Sequence, residues 1–279
     1  MRRKTTLALL GLCVFLRVVS IVRPCLSDDE ATYAVVAREM LTGHELYRDV
    51  VDHKPPAIYV VYAATQAVAG PVGGMVALHL LLIGIVFATA LVLARIVRLH
   101  GPGSDPKAPL FAALLWIVFT TTLVDVDALA ANCELFMMLP IVGSAAMFLD
   151  ARGRTSWLVA SGALVGIAAL FKYQGAIQLP LLAFGIVIAR ASWQRRLGNL
   201  VAVGLGFALP FAATGAILWA TGGLDAALFW FKFNFSYIEA GSSTGEVLGR
   251  FVSRGGLVIG AAALLYVLAG VTLWRSRRD

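Results

Sequence analysis

Charge is what this sequence has least of. Only 14% of its 279 residues are charged, against about 25% in a soluble domain. That scarcity, with a mean hydropathy of +0.83, sets aside the one or two soluble domains that the length alone would permit. Cysteine is scarce too: Cys13, Cys25 and Cys133 show no CxxC or Cys/His ligand spacing, which argues against zinc. A Cys25–Cys133 disulfide has nothing in its favour beyond a shared side of the membrane. No internal repeat, low-complexity stretch or soluble domain is visible. The net charge of +7 would suit a nucleic-acid binder. The basic residues, however, fall in short clusters between apolar runs, which is a membrane-topology pattern, and nucleic acid is set aside as a partner.

What the chain has in abundance is hydrocarbon, 59% of residues. A bilayer core needs about 20 apolar residues per helix, and several runs approach that. Residues 5–22 follow the basic Arg2, Arg3 and Lys4 and lack a small-x-small cleavage site, so they read as an uncleaved first span with a cytoplasmic N-terminus. Further spans read at 72–97, 110–124, 129–149, 157–171, 176–189, 200–220 and 256–274. Residues 221–254 read as a polar loop carrying the aromatic run Phe229 to Phe235. The expectation is an all-α polytopic membrane protein of about eight spans, one transmembrane domain over 1–279. With the N-terminus inside, fourteen Lys/Arg fall inside and eight outside, as the positive-inside rule asks. Of the acids, only Asp105, Asp150 and Asp279 fall inside. That asymmetry is not required by the rule, and an acidic site on the outer face would account for it.

The first outer loop, 23–71, holds a charged island at 27–56. Seven acids, Asp28, Asp29, Glu30, Glu39, Glu45, Asp49 and Asp52, sit among Arg38, His44, Arg48, His53 and Lys54. Ser27 and Glu30 have capping-box spacing. Tyr33, Val36, Ala37, Met40 and Leu41 then form one apolar stripe, and Gly43 supplies a stop. This helix is too short and polar to span and should lie along the interface. A second start comes at His53-Lys54-Pro55-Pro56. Its apolar run, 57–69, is about 20 Å long as a helix and reads as interfacial or re-entrant.

Four groups of residues are candidates for chemistry. Carboxylates at Asp28, Asp29 and Glu30 suit a helix N-terminus without any catalytic role; the functional alternative is a general base or a metal ligand. Lys54 is either a solvated loop residue or an anion ligand at a helix N-terminus. Glu134, beside Asn132, lies at or just inside the membrane, where an ionisable group is a functional candidate by default. Lys172 sits against the positive-inside bias, either snorkelling or holding an anion. Asp125 and Asp127 read as solvated loop. Arg17 and His79 lie within spans. Gly84, Gly162, Gly166, Gly204 and Gly206 read as close-packing positions. Acids, two isolated lysines and an aromatic loop on one face suit a substrate with a phosphate head and a lipid tail.

Asp29-Glu30, the helix to Gly43, Leu46-Tyr47-Arg48-Asp49 and then Asp52-His53-Lys54-Pro55-Pro56 resemble the first outer loop of GT-C glycosyltransferases. The likeness is to bacterial members of the dolichyl-phosphate-mannose protein mannosyltransferase family and to the lipid A aminoarabinose transferase. Asn132-Cys133-Glu134-Leu135-Phe136 and Phe171-Lys172-Tyr173-Gln174 are similar to members too. The resemblance implies a GT-C-like helical bundle whose first outer loop forms two juxtamembrane helices. It also implies a polyprenyl-phosphate sugar donor and inverting transfer to a lipid, glycan or protein acceptor, on the outer face of the cell membrane. It makes Asp29 the base, Glu30 its support and Lys54 the ligand of the donor phosphate, with Lys172 and Arg48 as further candidates. Glu134 with Asn132 stands where a second acid belongs. A divalent cation, magnesium or manganese, stays open, with Asp29 and Glu134 as its ligands. Family members usually carry more spans and often a C-terminal outer domain, so the chain reads as a short member, a fragment or one that needs a partner. A lipid-linked sugar transporter or flippase, or a non-catalytic binding partner, remains the alternative.

Overall fold

The computed structural model describes residues 3–101, 105–122 and 128–240, with residues 245, 246, 249 and 252 beyond them. Most of the described residues are helical, with no strand among them. The chain divides into two compact units, Met1–Leu228 and Phe229–Asp279.

The first unit is a helical bundle. Its elements are α1 (Arg3–Val22), α2 (Asp28–Leu41), α3 (Ala57–His100), α4 (Ala108–Thr122), α5 (Cys133–Asp150), α6 (Thr155–Phe171), a 3-10 turn (Tyr173–Ile177), α7 (Gln178–Ile188) and α8 (Trp193–Ala220). A ninth helix, α9 (Leu224–Ala240), begins in this unit and ends in the second. Four helices, α1, α3, α5 and α8, are long and apolar enough to cross a membrane; the apolar stretches at α4, α6 and 173–188 are shorter. This is a membrane-embedded helical protein.

The break in α3 decides the shape of the site end. Gly70 has φ +73° and ψ 176°, and Pro71 follows it. Proline disfavours helix at the residue before it, and only glycine accepts this positive φ without strain. The two legs meet closely: a Cβ on Gly74 would lie 2.6 Å from Cα of Gln66. The leg at 57–69 is therefore a helix of its own, bent sharply at Gly70 against the second leg.

Close backbone approach also joins α6 to α8. A Cβ on Gly162 would run into the Val203 carbonyl, and one on Gly206 into the Val159 carbonyl. A Cβ on Gly166 would lie 2.5 Å from the Phe207 carbonyl oxygen. Such contacts hold helices together where lipid offers no hydrophobic drive. Val165, Leu158, Val203, Ala202, Leu182 and Ile186 are buried around this contact. Gly84 and Gly204 differ from expectation, since a Cβ there would meet nothing within 4 Å.

Three boundaries also differ. Residues 129–132 are not helical, and α5 starts at Cys133; the backbone there is bonded by buried side chains. Helix α8 starts at Trp193, seven residues earlier than expected, because Ser192 caps it by accepting from the Arg195 N–H at 3.4 Å. The aromatic run read as loop lies in α9, where Trp230 packs edge-on against Phe229 and Phe233. Aromatic side chains at successive positions point around the helix, a pattern that shows no single apolar stripe. Asp125, Asp127 and the span expected at 256–274 lie outside the described residues.

At the end of the bundle away from α2, the carboxylate of Asp150 bonds Arg95 and accepts from His100 Nε2 at 2.9 Å, tying the end of α3 to the end of α5.

Candidate functional site

Helix α2 starts as its sequence dictates. Ser27 is the N-cap, its hydroxyl accepting from the Glu30 N–H at 3.3 Å, and three acids fill the first turn, where the helix dipole favours them. Thr42 closes the helix and Gly43, at φ +98°, turns the chain away. Tyr33, one turn after Asp29, is buried and meets the rings of Tyr59 and Tyr62 edge-on at 5.8 and 5.5 Å. Such pairs contribute about 0.5–1.5 kcal/mol each beyond area burial. Gln66 Nε2 donates to the Ala34 carbonyl at 3.0 Å. Helix α2 is thus laid along the first leg of α3.

That arrangement brings Lys54 to Asp29. The ammonium stands 2.7 Å from Asp29 Oδ2, bonds the Tyr33 hydroxyl oxygen and lies 4.6 Å from the centre of the Tyr33 ring. The Tyr33 hydroxyl in turn donates to Asp29 Oδ2 at 3.1 Å and receives the Cys133 thiol at 3.6 Å. One donor and two acceptor sites on the phenol satisfy all three partners. Lys54 itself is fixed from behind: the Tyr47 hydroxyl donates to its carbonyl at 2.8 Å. Tyr47 is buried at φ +73°, a strained conformation for a bulky residue that the surroundings must impose.

Beside this pair stands a second. Lys172, at the C-cap of α6, bonds the carboxylate of Glu134 in the first turn of α5. Phe136 and Phe171, two and one residues from these groups, stack at 5.7 Å. The two pairs sense each other. Burial pushes the Asp29 carboxyl up, but hydrogen bonds from Lys54 and Tyr33, with the charges of Lys54 and Lys172, outweigh it and hold the carboxyl below its usual range. Burial, together with Cys133 and Asp29, drives the Tyr33 phenol strongly upward, so it remains a donor.

Glu30, next along the chain, is in different surroundings. It is 0% exposed and accepts from the backbone N–H of Leu26 and of Ala131, both at 2.5 Å, with His79 Nε2 at 3.2 Å. Burial raises its carboxyl, and these three donors more than reverse that. Arg17, also fully buried, donates to the carbonyls of Thr120, Ala128 and Leu129 at 3.2, 3.3 and 2.8 Å, and the Tyr62 hydroxyl donates to the Ala131 carbonyl at 3.0 Å. Buried non-helical backbone needs such partners. Glu30 therefore touches the site through the backbone that leads to Glu134, not through Asp29.

Of the residues expected at the site, Asp29, Lys54, Glu134 and Lys172 come together in two pairs. Asn132 is the N-cap of α5, nearly buried, and its Oδ1 has no hydrogen-bond partner among the described residues. Arg48 is held in its own turn by Glu45 at 2.7 Å and Asp49 at 3.4 Å. Tyr33, Tyr47 and Cys133 were not among the expected site residues. The i, i+4 spacing of Asp29 and Tyr33 was the available signal for the first. Cys25 and Cys133 are both free thiols.

As to a divalent cation, no three His, Cys, Asp or Glu side chains converge as a ligand set among the described residues. Asp29 and Glu134 each already bond a lysine. The described residues do not fit a bound cation.

An apolar groove of about 560 Å³ opens between the end of α2, the start of α3 and the far ends of α6 and α8. Met40, Leu46, Val60, Phe171, Ile217 and Leu218 line it. Pro56 and Phe171, which also line it, are within two residues of Lys54 and Lys172. Comparison with known proteins yields no matching family model, no matching curated protein and no matching solved structure.

Proposed function

We propose that the protein is a membrane glycosyltransferase that moves a sugar from a polyprenyl-phosphate donor to a lipid, glycan or protein acceptor, with inversion. The reading places it in a cell membrane with the N-terminus cytoplasmic and the site facing outside. The observation that carries it is the pairing of Asp29 with Lys54 and of Glu134 with Lys172, near an apolar groove whose lining approaches both lysines in sequence.

In this reading the isoprenoid tail lies in the groove, where burying apolar surface contributes about 25 cal/mol per Å². Lys54 and Lys172 hold the phosphate as point charges. Asp29 takes the acceptor's hydroxyl proton as that oxygen bonds the anomeric carbon. The bond from that carbon to the phosphate oxygen breaks, and its electron pair leaves with the polyprenyl phosphate. The lysines stabilise the negative charge that develops there. A groove for a tail beside a cationic site also suits a flippase. The acids at one end of the bundle, rather than midway along it, favour transfer.

Sugar transfer from a polyprenyl-phosphate donor, measured in membranes carrying the chain, tests the reading. Asp29→Asn should lower transfer by about 100-fold or more, as loss of a positioned base does, while Lys54→Ala should weaken use of the donor. Undiminished transfer by Asp29→Asn would remove it as the base.

A further inference from the structure

The two lysines and their carboxylates are unequally exposed. Side-chain exposure is 18% for Lys54 against 53% for Asp29, and 31% for Lys172 against 51% for Glu134. In each pair the cation is the more enclosed partner. An enclosed ammonium needs an anion or a strong acceptor beside it, because water cannot replace one fully. A half-exposed carboxylate can do without its lysine, since solvent takes over. The cations are also the better anchored. Lys54 has its carbonyl bonded by Tyr47 and its ammonium on the face of Tyr33. Lys172 is fixed at the end of α6, where its carbonyl accepts from the Gly175 N–H at 2.8 Å. The lysines are fixed sockets, and the carboxylates are what can be moved out of them.

We propose that the site rests self-neutralised, with Asp29 and Glu134 occupying the positions of the donor phosphate, and that the phosphate displaces them when it binds. This deepens the proposed function and rests on its reading of Lys54 and Lys172. The consequence is an order of events. While Asp29 is bonded to Lys54 it is a weak base. When the phosphate takes Lys54, Asp29 loses its strongest partner, keeps the Tyr33 hydroxyl and becomes competent to take a proton. The acceptor is activated only after the donor is in place, so an acceptor hydroxyl, or water, is not deprotonated at an empty site. The two events are linked, and the linkage is reciprocal. Whatever loosens a carboxylate from its lysine must tighten the phosphate.

The test uses the full chain in lipid nanodiscs and measures binding of a polyprenyl phosphate that carries no sugar, with the neutral polyprenol as control. Asp29→Asn and Glu134→Gln each remove a competing anion at a half-exposed position, so each variant checks the other for loss of fold. Both should bind the polyprenyl phosphate more tightly than the unaltered protein, by about 5-fold or more. Both should bind the neutral polyprenol as the unaltered protein does. Lys54→Ala should bind the phosphate more weakly. If Lys54→Ala weakens binding but neither carboxylate variant tightens it, the exchange is wrong and the phosphate site stands. If Lys54→Ala binds the phosphate as well as the unaltered protein, the assignment of Lys54 fails, and the exchange fails with it.

Discussion

Asp29 and Glu30 are neighbours in the chain and opposites in the fold. Asp29 is half-exposed and has one lysine and one phenol as partners. Glu30 is sealed, with two backbone N–H groups and a histidine as partners and a buried arginine nearby. Successive residues on a helix point about 100° apart, so a single acidic pair delivers one carboxylate to solvent and one to the interior. The open region makes reversible contacts that suit an exchange of partners. The buried region holds non-helical backbone at 129–131, and it fixes the approach to Glu134. The contrast separates a group that acts from a group that positions.

The largest effect should come from breaking the buried side. Glu30→Ala strands two backbone donors, leaves His79 Nε2 only the Pro24 carbonyl at 3.3 Å and removes the carboxylate that balances Arg17; removal of one partner from a buried ionic set costs about 3–5 kcal/mol. Thermal unfolding in detergent should show that loss. Asp29→Asn should change stability by about 1 kcal/mol or less, as expected of a half-exposed pair. Equal losses at both positions would erase the distinction.

A smaller effect sharpens it. Both carboxyls lie below their ordinary values in the folded chain. A lowered folded value contributes stability that is fully present above the unfolded value, about 4, and is lost as pH falls through the folded value. Thermal stability followed downward from about pH 6 should therefore fall in acid. Glu30→Gln should remove more of that acid sensitivity than Asp29→Asn, because solvent screens the exposed pair.

Much of the site end was legible in the sequence because it is built from local signals. The Ser27 cap, the Gly43 stop and the prolines before Ala57 each act within a few residues; the Gly70-Pro71 break was as local a signal but was passed over between two apolar runs. Contacts between distant segments were not legible. Lys172 and Glu134 are 38 residues apart and Glu30 and Ala131 are 101 apart, and nothing in either segment names the other. Tyr33 was read as part of an apolar stripe, which its ring is; periodicity says nothing about where the hydroxyl at its tip will go. Arg17 stood out as a charge within a span, yet its three carbonyl partners arise only once α4 and the residues before α5 are placed beside it. The early start of α8 had a local signal in Ser192, but it lay within a basic cluster that reads as loop.

The most direct test of the central claim is photocrosslinking with a polyprenyl phosphate that carries a photoreactive group in its isoprenoid tail. Labelled peptides are then mapped by mass spectrometry. The account predicts labels on the groove lining near Val60, Phe171 and Ile217, reduced by Lys54→Ala and absent from the opposite end of the bundle around Asp150. Labels spread evenly over the lipid-facing helices, or unchanged by loss of Lys54, would contradict it.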